Sequence, residues 1–170
     1  ALGKADREAL GKAVLAKCDT ADGLADGVLA DPTACRFDPA ELACSGANAD
    51  GCLSKAELAV VTAVTTPVKV GGQTYFAGFP FGGEAGEAGW ATWLIGSKDR
   101  IGPGVPSLAY GFGVGYARYF VKQDASWSPA NFDAAAFAKD AAFMTKTLSA
   151  ADPDLSAFRA RGGKLLMYHG

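Results

Sequence analysis

The chain has 170 residues, enough for one domain with a real core or slightly more. Its formal net charge of -2 with scattered basic residues excludes a polyanion-binding surface, so no nucleic-acid partner is expected. No run of eighteen apolar residues exists, so no membrane-spanning segment is expected, and one histidine excludes metal chemistry built on many histidines.

Residues 3–17 carry Leu10, Val14 and Leu15 among alanines, the pattern of an amphipathic helix rather than a leader peptide. This helix delivers Cys18 to the stretch CDTADGLADGVLADPTAC, residues 18–35. Asp19, Asp22 and Asp26 stand three and four residues apart, glycines follow two of them, and a cysteine closes each end. Such a loop gathers carboxylates around a hard cation, and calcium accepts carboxylates and carbonyls in a flexible shell. It is not an EF-hand: a twelve-residue frame from Asp22 places Leu24 third and Thr33 twelfth, where acidic ligands are required. In an irregular site the three aspartates would supply side-chain oxygens, while Leu24 and Val28 turn carbonyls inward. The alternative is a capped surface turn in which each aspartate bonds nearby backbone.

Four cysteines allow three complete pairings. The pattern favours Cys18 with Cys35 and Cys44 with Cys52, each closing a short turn-rich loop. Both bonds together would imply an oxidising compartment, secreted or periplasmic. A four-thiolate zinc site competes with this reading, although gaps of 17, 9 and 8 residues lack its usual close pairs.

Asn48 to Gly51 reads as a turn. Ser54 caps a second helix to about residue 63, with Glu57 as capping-box partner. Val68 to Phe76 reads as a hairpin about Gly71-Gly72. The aromatic, glycine-rich stretch that follows, with Phe79, Phe81, Trp90 and Trp93, is either a surface loop plugged into neighbouring packing or the wall of an apolar pocket. Residues 107–121, SLAYGFGVGYARYFV, suggest a buried helix too short and glycine-broken to span a bilayer. A further helix is expected at about 133–148 behind Asp133, and a short one at 155–161 behind Asp152 and Asp154. After Gly162-Gly163, residues 164–168 read as a buried strand ending at His169. No serine elbow, phosphate loop or nucleophilic partner for His169 is present, and Glu84 with Glu87 is a weak carboxylate pair.

The stretch CDTADGLADGVLADPTACRFDPAELAC, with GCLSKAEL after it and RGGKLLMYHG at the end, closely resembles the tannase and feruloyl esterase family, including related bacterial aromatic-ester hydrolases. The resemblance implies an α/β fold: the lid, or insertion region, of an α/β-hydrolase, mostly helices and loops, over residues 1–150. Residues 151–170 would add one core helix and strand. It implies a structural calcium held by the side chains of Asp19, Asp22 and Asp26 and the carbonyls of Leu24 and Val28, and the same two disulfides. Trp90 and Trp93 become candidate lid-wall residues over a small aromatic ester substrate. The family's nucleophilic serine, acid and base have no counterpart at positions 1–170, and His169 matches the residue pair before the acid rather than the base. The expectation is therefore the calcium-stabilised lid of a secreted serine esterase, partnered by the remainder of its hydrolase chain and inactive alone. A self-standing calcium-stabilised binding module for phenolic or polysaccharide ligands is the alternative.

Overall fold

The computed structural model describes residues 2–46, 51–96, 106–149 and 152–168. The expected turn at 48–51 lies outside them except for Gly51, and so does His169. Among the described residues the chain is helix-rich with a single two-stranded sheet.

Helix α1 spans Lys4–Cys18. Asp6 anchors its start by accepting the Gly3 N–H at 2.7 Å. Its buried residues, Arg7, Leu10, Val14 and Cys18 with Gly11, recur at helical spacing and turn one face inward. Helix α2, Lys55–Thr65, begins with the expected capping box. The Ser54 hydroxyl accepts from the Glu57 N–H at 3.3 Å, and the Glu57 carboxylate accepts from the Ser54 N–H at 2.9 Å. Two orphan donors are thereby satisfied, and Val61 drops into the core.

Strands β1 (Val68–Val70) and β2 (Gln73–Phe76) form the expected antiparallel hairpin, with Val70 opposite Gln73. Gly71 and Gly72 both have positive φ, which a two-residue hairpin turn of this hand requires. The core lies elsewhere. Leu10 and Val14 of α1, Phe37, Leu53, Val61 of α2, Phe81 and Trp90 pack into one cluster, with Phe37 edge-on to Phe81 at 5.4 Å.

The segment Glu87–Ile95 is π-helical with a non-helical kink at Gly89. Trp90 is 4% exposed in the core, whereas Trp93 is 47% exposed and stacks on Phe112. Helix α3, Leu108–Tyr116, is capped by the Ser107 hydroxyl and continues as a π-helical turn to Val121. The expected helix is there, but its expected burial is not: of the described residues from 107 to 121 only Ser107 and Ala117 are buried, because the described elements beside it, with Trp93, Trp127 and Phe137, cover only part of its surface.

The helix expected at 133–148 is two, α4 (Ala134–Asp140) and α5 (Ala142–Leu148), broken at Ala141 and opened by Asp133 accepting from the Ala136 N–H. Helix α6 spans Ser156–Ala160. Residues 164–168 are not the buried strand that their composition suggests. They pair with nothing among the described residues, and Leu166 and Tyr168 are 91% and 93% exposed. A strand needs a neighbouring edge for its N–H and C=O groups, and β1 and β2 do not offer one here. None of the described helices is long and apolar enough to cross a membrane.

Candidate functional site

Both favoured disulfides are formed: Cys18 with Cys35 (Cα–Cα 5.5 Å) and Cys44 with Cys52 (5.0 Å). All four sulfurs are thereby used, and the four-thiolate zinc reading is overturned, since zinc needs thiolates. A backbone bridge braces the second bond, where the Cys44 N–H donates to the Leu53 carbonyl and the Leu53 N–H to the Leu42 carbonyl.

Between Cys18 and Cys35 the chain makes a 3-10 turn at Asp19–Asp22, then reverses at Gly23 and Gly27, both with positive φ. Each aspartate gives one oxygen to a backbone N–H. Asp22 accepts from Leu24 at 2.9 Å, Asp26 from Val28 at 3.0 Å, and Asp19 reaches across the loop to Gly27 at 3.0 Å. The first two are local Asx-type turns repeated four residues apart; the third closes the loop on itself. Leu24 and Val28 point their side chains to solvent, and it is their N–H groups that these bonds engage.

The donor chemistry suits a hard cation: each carboxylate has a second oxygen, and peptide carbonyls lie between them. Among the described residues, however, no three acidic, cysteine or histidine side chains stand close enough together to hold a metal in this arrangement. Asp31 closes the far side of the loop. It accepts from the Thr33 hydroxyl and N–H at 2.6 and 2.9 Å, and those bonds hold its carboxyl below the ordinary value.

The loop also walls a cleft of about 620 Å³ against α1 and the turn at 82–85, lined by Lys12, Leu15, Val28, Leu29, Pro32 and Glu84 among others. Glu84 is 2% exposed and accepts from the Gly82 N–H at 2.6 Å. Glu87 instead reaches Arg7 at 3.4 Å. The two carboxylates thus make separate contacts.

Arg7 is the residue that sequence reasoning missed. It is buried on α1, donates to the Leu2 carbonyl and to Glu87, and its Nε has no hydrogen-bond partner among the described residues. Its position three residues before Leu10 on the apolar face was the available signal.

The chain matches the family described as "Tannase and feruloyl esterase" over residues 3–170. It is 36% identical over 170 residues to an uncharacterized esterase of Xanthomonas campestris pv. campestris, covering 95% of this chain and 29% of that protein. To a probable feruloyl esterase B-2 of Aspergillus flavus it is 31% identical over 160 residues, covering 92% and 28% respectively. The crystal structure of feruloyl esterase B from Aspergillus oryzae superimposes with a TM-score of 0.73 at 23% identity, over 96% of this chain and 31% of that one, which establishes a shared fold. The chain spans less than a third of the length of these relatives. It belongs to the tannase and feruloyl esterase family.

Proposed function

We propose that residues 1–150 form the calcium-stabilised lid of an exported serine ester hydrolase acting on aromatic, feruloyl- or galloyl-like esters, and that residues 151–170 join its α/β core. The observation that carries this reading is the family match over residues 3–170 by a chain that spans less than a third of its relatives. Feruloyl esterase is the printed description of one such relative, which supports the substrate class. The two disulfides support an extracytoplasmic compartment.

In the intact enzyme a serine hydroxyl attacks the ester carbonyl and the alcohol leaves with a proton. Water then cleaves the acyl-serine, releasing the acid and restoring the hydroxyl. No residue of this chain is assigned to those steps. Its part is to cover the substrate and shape which esters are accepted. Asp19, Asp22 and Asp26, with the carbonyls of Leu24 and Val28, would hold calcium, which neutralises mutual repulsion among the carboxylates and fixes the loop.

The test compares the 170-residue chain with the longer natural chain containing it. The longer chain should hydrolyse methyl ferulate or methyl gallate, and the 170 residues alone should not; turnover by the short chain at the rate of the long one overturns the lid reading. Calcium at about a hundredfold excess over Kd should add about 2.7 kcal/mol to the unfolding free energy and raise the thermal midpoint accordingly. Asp22→Ala should abolish that gain, and no shift in the unmutated chain removes calcium from the proposal.

A further inference from the structure

The outer face of α3 and its π-helical extension carries a run of exposed aromatic rings. Phe112, Tyr116 and Phe120 recur every four residues along α3 and its π-helical extension, with Tyr119 beside them. Phe112 and Tyr119 are each 65% exposed, and Phe120 is 50% exposed. The rings are ordered against one another: Trp93 stacks on Phe112 at 6.0 Å and Tyr116 on Phe120 at 5.9 Å. Stacked rings left in water form a contiguous apolar wall of the kind that marks an interaction surface.

A second observation concerns the glycines within the same helix. A Cβ added at Gly113 or Gly115 would meet nothing within 4 Å among the described residues. Glycine weakens a helix relative to alanine, so open space at these positions has no local use. It suits close approach by a backbone from outside.

The face is also electrically quiet. Arg118 turns its Nε to the Trp127 carbonyl at 2.8 Å, and Lys122 is paired with Asp140.

We propose that this face, centred on Phe112, Gly115, Tyr119 and Phe120, is where the α/β-hydrolase body of the longer chain packs. The inference rests on the lid reading above. The occupant follows from length: this chain aligns with 31% of a solved relative, so the larger part of such a protein must be seated against some surface of these residues. The exposed apolar run Leu165–Tyr168, with no strand beside it among the described residues, calls for the same neighbour.

Hydroxyl-radical footprinting of the longer chain tests this without substrate, with Tyr75 and Phe76 of the exposed strand β2 as references. Relative to the 170-residue chain, labelling of Phe112, Tyr119 and Phe120 should fall by about an order of magnitude, as at a solvent-excluded interface, while the references are unchanged. Equal labelling in the two chains overturns the proposal. Gly115→Leu should lower the thermal midpoint of the longer chain and leave that of the short chain unchanged or raised; no loss in the longer chain also overturns it. Protection that appears in the short chain only with dimerisation assigns the face to a second copy instead. A longer chain that protects the stripe yet cleaves no ester would defeat the proposed activity and leave this docking face standing.

Discussion

Residues 2–96 and residues 106–168 are built from similar amounts of apolar side chain but use it differently. The first region holds the whole core cluster, from Leu2 and Leu10 to Trp90, and both disulfides. In the second, the buried described residues are Ser107, Ala117 and Ala141, while Phe112, Phe132, Phe143 and Phe158 face solvent. One region stabilises itself. The other is an assembly of short helices whose large side chains pair with one another but stay largely exposed. Good capping and turn chemistry therefore define local structure in both, but only a second packed layer turns apolar surface into stability.

Core truncation is the largest test of that contrast. Trp90→Ala should cost about 3–5 kcal/mol in urea unfolding, whereas Phe112→Ala in the 170-residue chain should stay within about 0.5 kcal/mol. Equal losses would erase the distinction. Next, replacing Cys18 and Cys35 by serine opens a loop with a sequence separation of 17. It should cost about 3 kcal/mol, with hydrogen exchange accelerating in α1 and not in α4 or α5. A smaller effect, about 1 kcal/mol, is expected for Ser54→Ala, which removes the α2 cap.

The smallest effect should be shared by both regions. Hydroxyl and backbone N–H bonds from Ser54 hold Glu57 below its ordinary value, and those from Thr33 and Ser126 do the same for Asp31 and Asp124. The backbone N–H and then the hydroxyl of Ser156 do so for Asp154. A lowered folded value means stability that is complete above the unfolded value, near pH 4. It is lost as pH falls through the folded value. Solvent screening keeps each contribution small. Acid titration of the unfolding midpoint should show the loss, and Asp31→Asn should remove part of it.

What the sequence made legible was local. The Ser54–Glu57 box, the Gly71-Gly72 hairpin and the two short-range disulfides depend on residues close in the chain, and each formed as expected. The fate of residues 107–121 and 164–168 depends on distant neighbours, and an apolar run does not disclose whether its partner lies within these 170 residues. Trp90 and Trp93 could not be told apart either, because the Gly89 kink that precedes them breaks the regular helical period. At the aspartate loop, spacing singles out the three carboxylates, but each Asx-type bond is compatible with a plain turn and with a cation's outer brace alike. Arg7 stayed hidden because a basic residue on a helix ordinarily reads as solvated.

The two disulfides have one more consequence, which concerns biogenesis. Each disulfide joins cysteines that are consecutive in this sequence, Cys18 to Cys35 and Cys44 to Cys52. A chain threading amino terminus first into an oxidising compartment can close the Cys18–Cys35 bond before Cys44 arrives. The correct pairing is then also the kinetically accessible one, and no crossed intermediate has to be reshuffled by thiol–disulfide exchange.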